Sequence, residues 1–169
     1  MRQYLSKLKT QEKSPRSLGF QFSGYSGLGG FLAISTVALL TIYTEHPFLM
    51  APFGATCVLA FGVPNSPLAQ PRNIIGGHIV ATLVGLICLY LFGNEWYSLA
   101  IGVGLAISLM QLTGTTHPPA GADPIVVILG AKTLVFVINP VLFGAVVITI
   151  IALIFNNISG KRKYPVYWR

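Results

Sequence analysis

Hydrophobic positions in this chain come in long runs, with none of the short alternation that marks half-buried strands. The first run, from about Gly24 to Thr44, carries no charge and satisfies the roughly 20 residues that a ~30 Å hydrocarbon core requires. Tyr43 near its far end is an interfacial aromatic. Runs from about Ile74 to Phe92, Ser98 to Leu112 and Leu134 to Phe155 predict three further spans. Two shorter apolar runs lie between them, one up to Val63 interrupted by Pro52 and Gly54, the other from Ile125 to Ala131. The pattern predicts an all-α, polytopic helical membrane protein.

The connectors are polar. Glu45-His46-Pro47 leaves the first span, and a proline-rich stretch from Val63 to Asn73 carries Arg72. Glu95 follows the second span, with Trp96 and Tyr97 as interfacial anchors. The longest interruption is Thr113 to Pro124, T-G-T-T-H-P-P-A-G-A-D-P, which is costly to bury and so the first place to look for function. Pro118 and Pro119 fix φ and bias the preceding residues away from the helix, so Thr116 to Pro119 should run extended. Pro124 suits a helical first turn with Asp123 as its N-cap, the alternative being that Asp123 pairs with His117 or takes protons, and Asn73 reads as the cap of the helix from Ile74. Gly77, Ala81 and Gly85 form a small-residue stripe that lets another segment approach closely.

Pro52-Phe53-Gly54-Ala55-Thr56 and Pro119-Ala120-Gly121-Ala122-Asp123 share the pattern P-x-G-A-[TD] at an offset of 67 residues. At that offset the first span overlies the third and Gly77 meets Gly144. A two-fold repeat follows, each half (about 24–92 and 97–155) a span, a broken short helix and a span, as in transporters with discontinuous helices. Broken elements that cross give an inverted 3+3 arrangement; re-entrant ones give 2+2 spans and parallel halves. Eight extended residues and eleven helical ones reach roughly 40 Å, enough to cross. Crossing also keeps Arg72 on the cytoplasmic side and Glu95 outside, with Lys132 outside in either arrangement. The two short helices would then start near the midplane, their N-terminal amides and dipoles converging on a site suited to a small anion.

Composition agrees with a membrane protein: 53% of the 169 residues are apolar and 9% charged, against roughly 25% charged in soluble domains. The net charge of +7 does not point to nucleic acid, because nine of the eleven basic residues fall in two tails. These are Arg2, Lys7, Lys9, Lys13 and Arg16, then Lys161, Arg162, Lys163 and Arg169. The positive-inside rule accounts for them and puts both termini in the cytoplasm. The organisation expected is a basic tail over 1–23 with no cleaved signal peptide, one transmembrane domain over 24–158, and a basic tail over 159–169. Cys57 and Cys88 have neither disulfide nor metal spacing and read as packing residues.

His117, a His in apolar surroundings, is the sharpest functional candidate, as proton carrier or anion ligand, with a structural role in the turn as its alternative. His78 joins it from the second span, with a bridge between helices as its alternative, and His46 reads as a turn or interfacial residue. Gly54, Ala55 and Thr56 with Thr116, Gly121, Ala122 and Asp123 supply amides and hydroxyls at the two helix starts. Arg72 reads as an orientation signal beside its span or as a cation for a cytoplasmic vestibule, and Asn73 as a neighbouring donor. Pro52, Pro118, Pro119, Gly77 and Gly85 read as structural. No nucleophile with a partnered base, metal cluster or phosphate loop is present, so neither enzyme nor cofactor is expected.

The residues T-H-P-P-A-G-A at Thr116 to Ala122, P-F-G-A-T at Pro52 to Thr56 and P-R-N-x-I-G-G-H at Pro71 to His78 resemble the HPP family of small integral membrane proteins. The resemblance covers about Gly24 to Phe155, with a departure at Asp123-Pro124. It implies transport of a small inorganic anion, nitrite first, as associated with plastid and cyanobacterial members, and hence a bacterial (cyanobacterial) inner membrane. Amides and imidazole can hold nitrite without a strong cationic cage. The alternatives are permeation of a small neutral or weakly acidic solute, and a non-transporting scaffold or sensor subunit. The small-residue stripe is compatible with a homo-oligomer in the bilayer.

Overall fold

The computed structural model describes residues 2–168. A short helix α1 (Arg2–Ser6) lies in the basic tail, and the other helices follow the apolar runs: α2 (Phe20–Thr44), α3 (Pro52–Gly62), α4 (Pro71–Phe92), α5 (Trp96–Leu112), α6 (Pro118–Leu129) and α7 (Val137–Ile158). The described residues contain no strand. By length and composition α2, α4 and α7 are each able to cross a membrane, whereas α3, α5 and α6 are shorter. Large apolar side chains such as Phe31, Ile42, Leu105 and Ile154 point outward, as a hydrocarbon surrounding allows.

Prolines set several boundaries. α4 starts at Pro71, three residues before the expected Ile74, because proline is tolerated where the amide has no intrahelical partner. α6 opens as a 3₁₀ turn over Pro118–Ala122 and becomes α-helical over Asp123–Leu129. α3 begins α-helical over Pro52–Cys57 and widens into a π turn over Val58–Gly62. α7 is broken at Asn139, which is extended ahead of Pro140 and sets a kink before Phe143–Ile158. A 3₁₀ turn, Pro67–Ala69, lies between α3 and α4.

Contacts define two ends of the bundle. At one end Tyr25 stacks on Phe155 at 4.3 Å and donates to its carbonyl at 2.6 Å, with Phe61 beside them. The start of α2 and the ends of α3 and α7 therefore lie together. At the other end the Phe48 amide donates to Thr41 at 3.0 Å and the Phe48 ring meets Phe143, joining the end of α2 to the start of α7. α3 consequently runs toward the end holding both termini. α6 runs away from it: Asp123 meets His78, and Pro124 and Val127 lie against Gly85, farther along α4 from the end where Tyr164 holds Ala69.

Two apolar cores result, one among α2, α3 and α7 (Val37, Phe53, Phe61, Ile148) and one among α4, α5 and α6 (Val84, Cys88, Met110, Ile128). Close approach at α4 depends on glycine. A Cβ at Gly77 would lie 2.7 Å from His117 Cβ and 2.8 Å from the Thr115 carbonyl, and one at Gly85 would lie 2.7 Å from Pro124 Cα. On α7, Gly144 faces the Phe53 ring and the Phe48 carbonyl in a similar way.

Residues 162–167 pack back on the bundle. Arg162 donates to the Phe61 carbonyl, Asn156 Oδ1 and Ser26, and its guanidinium lies over Phe22 and Tyr25. Tyr164 is buried and donates to the Ala69 carbonyl at 2.7 Å, while Gln70 accepts from the Val166 amide. Burial pushes the Tyr164 phenol above its ordinary value.

Candidate functional site

At the seam between the two cores four polar side chains from three segments (α3, α4 and the start of α6) form a row, none of them accessible to solvent. α3 supplies Thr56 because its inward stripe is Pro52, Phe53, Thr56, Cys57 and Ala60, at helical spacing. Thr56 Oγ1 lies 2.8 Å from His78 Nε2 and 3.0 Å from His117 Nε2. The Pro52 carbonyl, 3.3 Å away, is a weaker acceptor for the same hydroxyl. His78 projects from α4, and its Nδ1 is 2.7 Å from Asp123 Oδ2 at the start of the α-helical part of α6. Thr82, one turn beyond His78, donates to the same carboxylate oxygen at 3.4 Å. His117 precedes α6 in extended conformation, and its Nδ1 donates to the Leu68 carbonyl at 2.8 Å. The Phe53 ring closes the row edge-on to His78.

The P-x-G-A starts thus meet, through Thr56 on one side and His117 and Asp123 on the other. Asp123 is not the N-cap expected for it. It lies inside the first turn with no capping bond, because its carboxylate reaches across to His78 and Thr82. Its Oδ1 is buried without a hydrogen-bond partner. Asn73 is likewise not a cap, since α4 already starts at Pro71. It instead donates to the Thr116 carbonyl at 2.9 Å and accepts from Tyr167 at 3.2 Å, holding the extended segment to α4.

The other candidates stand outside the row. Gly54, Ala55 and Ala122 are exposed and Gly121 half-buried, so the G-A pair of each motif turns outward. The expected open amides are partly used: Phe53 and Gly54 donate to the Met50 and Ala51 carbonyls, and Asp123 to the Ala120 carbonyl. Pro118 is exposed, Pro119 buried, and Thr116 half-buried. Arg72 is exposed at the end holding the termini and donates to the Thr113 carbonyl at 2.8 Å. Three contributors escaped the sequence reading. Thr82, at i+4 from His78, was recoverable from helical spacing; the Leu68 carbonyl and Tyr164 had no local signal.

Among the described residues no group of three or more His, Cys, Asp or Glu side chains is arranged to hold a metal ion. Cavities open elsewhere, two of them at the ends of the bundle. One of about 600 Å³ lies beside Phe22, Tyr25 and Arg162, and one of about 380 Å³ is lined at the opposite end by Met50, Ala51, Lys132 and Asn139.

The family described as HPP, transmembrane region, matches residues 16–165. Two transmembrane proteins of Dictyostelium discoideum are similar to the chain. One is 40% identical over 178 residues, covering 98% of this chain and 57% of the relative. The other is 35% identical over 170 residues, covering 94% and 60%. The chain therefore spans less than two thirds of the length of these relatives. No solved structure matches it.

Proposed function

The chain belongs to the HPP transmembrane family, and from that premise we propose that it moves a small inorganic anion, nitrite first, across the bilayer. The observation that carries this reading is the row itself: four polar side chains with no solvent access at the meeting point of two broken helices. Ionisable groups at such depth are costly, and in membrane proteins they mark substrate and ion pathways. The reading is of a permeation protein and not of an enzyme.

In this reading the chain crosses six times in two inverted halves, with both termini in the cytoplasm. Its support is the opposed direction of α3 and α6 and a pair of contacts at the repeat offset: Gly77 against the Thr115 carbonyl, and Gly144 against the Phe48 carbonyl. Gly24, Gly27 and Gly54 meet nothing within 4 Å, which supports close approach of a second copy. The similar proteins are from a eukaryote, so nothing in them favours the bacterial inner membrane that the resemblance implies.

A second reading has its own observation. Asp123, with one oxygen unpartnered in the seam, repels an anion and favours a neutral or weakly acidic solute such as the protonated acid. The deciding experiment is uptake of labelled nitrite by the full chain in liposomes across pH, with competing anions and with His117→Ala and His78→Ala. Saturable, anion-competed flux that falls in the variants is expected. Flux that follows only the neutral acid selects the second reading. Liposomes inert to every solute refute both and leave the scaffold or sensor role.

A further inference from the structure

We propose that the row is a proton-binding site, closed only when it holds one proton shared chiefly between Asp123 and His78, and that this proton ties α3 to α4 and α6. The inference follows from counting hydrogens. Four contacts run in series: Leu68 carbonyl to His117 Nδ1, His117 Nε2 to Thr56, Thr56 to His78 Nε2, and His78 Nδ1 to Asp123. Each is a hydrogen bond only if a hydrogen lies between its two heavy atoms. With Asp123 ionised and both imidazoles neutral, each ring brings one hydrogen and the Thr56 hydroxyl one, giving three for four contacts.

The fourth is an added proton, and the chemistry at each end orders the row. A carbonyl can only accept, so the His117 hydrogen sits on Nδ1 and its Nε2 is bare. That bare nitrogen takes the Thr56 hydrogen, and Thr56 must in turn accept from His78 Nε2. One hydrogen remains to be placed between His78 and Asp123, on nitrogen as an imidazolium and carboxylate, or on oxygen as a neutral ring and carboxylic acid. Both forms contain the same hydrogens and are neutral overall. The alternative of charging His117 carries the positive charge away from the carboxylate, which Coulomb attraction disfavours in a dry seam.

Burial makes neutrality matter. All four side chains lack solvent access, and Asp123 Oδ1 is already unpartnered. Deprotonation would leave a net negative charge there and two lone pairs facing each other across one contact, so that contact must part. Other titratable side chains on or flanking the packing elements are Tyr25 and Tyr43 on α2 with Glu45 and His46 after it, Cys57 on α3, Arg72, Cys88 and Tyr90 on α4, Tyr97 on α5 with Glu95 before it, Lys132 after α6, and Lys161, Arg162, Lys163, Tyr164 and Tyr167 beyond α7. None of these is a hydrogen-bond partner of the row; Arg72 is engaged by the Thr113 carbonyl and Tyr164 by the Ala69 carbonyl. Thr56 alone links α3 to both rings, so loss of the proton to water parts α3 from His78 on α4 and leaves it held by His117 alone, at the point where its start meets the other short helix. Coupling of this step to an anion rests on the transport reading; the proton count does not.

The test uses the full chain in lipid nanodiscs, with nitrogen-15 histidine NMR and proton release on alkalinisation, beside Asp123→Asn. The carboxamide NH₂ of that variant donates to His78 Nδ1 and supplies the fourth hydrogen without titrating. Wild type is expected to release one proton per chain more than Asp123→Asn. In that step His78 Nε2 should pass from protonated to bare while His117 keeps its Nδ1 hydrogen. Equal release from the two proteins, or a bare His78 Nε2 in the low-pH form, overturns the proposal. If Asp123→Asn does not fold, the wild-type His78 spectrum decides alone. Flux is not measured, so failure here and failure of the transport reading are distinguishable.

Discussion

Gly77→Ala is expected to break the polar row without replacing any of its members. The added methyl would sit 2.7 Å from His117 Cβ and 2.8 Å from the Thr115 carbonyl, whereas ordinary contact begins at 3.4 Å. The extended segment must therefore retreat by about 0.7 Å, the difference of 3.4 and 2.7. The His117 ring is held from both sides, 2.8 Å from the Leu68 carbonyl and 3.0 Å from Thr56, so a retreat lengthens at least one of these bonds. A 0.7 Å stretch of the latter gives about 3.7 Å, beyond useful hydrogen-bond length. Overpacking costs about 1–3 kcal/mol and an unsatisfied buried group a further ~1–3 kcal/mol, against a gain of ~1 kcal/mol for alanine over glycine in a helix, for a net loss of about 1–5 kcal/mol. Gly104 on α5 is the control, since a Cβ there meets nothing within 4 Å. Denaturant unfolding in detergent micelles should show Gly77→Ala destabilised and Gly104→Ala neutral or slightly stabilised. Equal stability of the two variants would refute the packing argument.

Thr56→Val keeps the shape of the side chain but strands both imidazole Nε2 atoms, at a cost of about 2–6 kcal/mol, whereas Thr56→Ser retains the hydroxyl and loses one methyl, about 0.8 kcal/mol; thermal unfolding of the pair separates hydroxyl from volume. The raised Tyr164 phenol stabilises the docked C-terminal segment fully below the unfolded value of about 10, and that stability declines as pH rises above it toward the higher folded value. Limited proteolysis should accordingly show the C-terminal segment released only under strong alkali, with Tyr164→Phe losing this pH dependence and releasing more readily at neutral pH. Arg162→Lys cannot reproduce the fork onto the Phe61 carbonyl, Asn156 and Ser26, so faster C-terminal cleavage is expected of it too, at all pH values.

Much of this arrangement is legible in the sequence because burial in a membrane leaves a strong trace. The apolar runs locate the long helices to within a few residues, and the residues costliest to bury, Thr56, His78, His117 and Asp123, are the ones that meet. What misleads is the preference for local explanations. Asp123 before a proline reads as a cap, yet a carboxylate with no water nearby gains more from an imidazole across the seam than from amides its own turn already uses. Asn73 follows the same logic, bridging α4 to the Thr116 carbonyl. In the P-x-G-A motifs sequence proximity suggests one shared surface. Helical geometry instead divides them, turning Thr56 inward while Gly54 and Ala55 face out. Docking of the C-terminal segment rests on Tyr164 and Arg162 meeting main-chain carbonyls some hundred residues away, contacts with no periodic signature.

The Leu68 carbonyl has a consequence for how genetics would see this protein. It fixes the hydrogen of His117 to one nitrogen and so sets the polarity of everything beyond it, yet it belongs to the main chain and survives every side-chain replacement at position 68. A mutational scan would report Leu68 as tolerant. The sensitivity would surface at its neighbours, at Gln70, whose amide grips the Pro64 and Ser66 carbonyls, and at Tyr164, which holds Ala69 from the far end of the chain. Variants near the C-terminus would then carry phenotypes resembling those of the buried histidines, through a backbone oxygen that no codon change can remove.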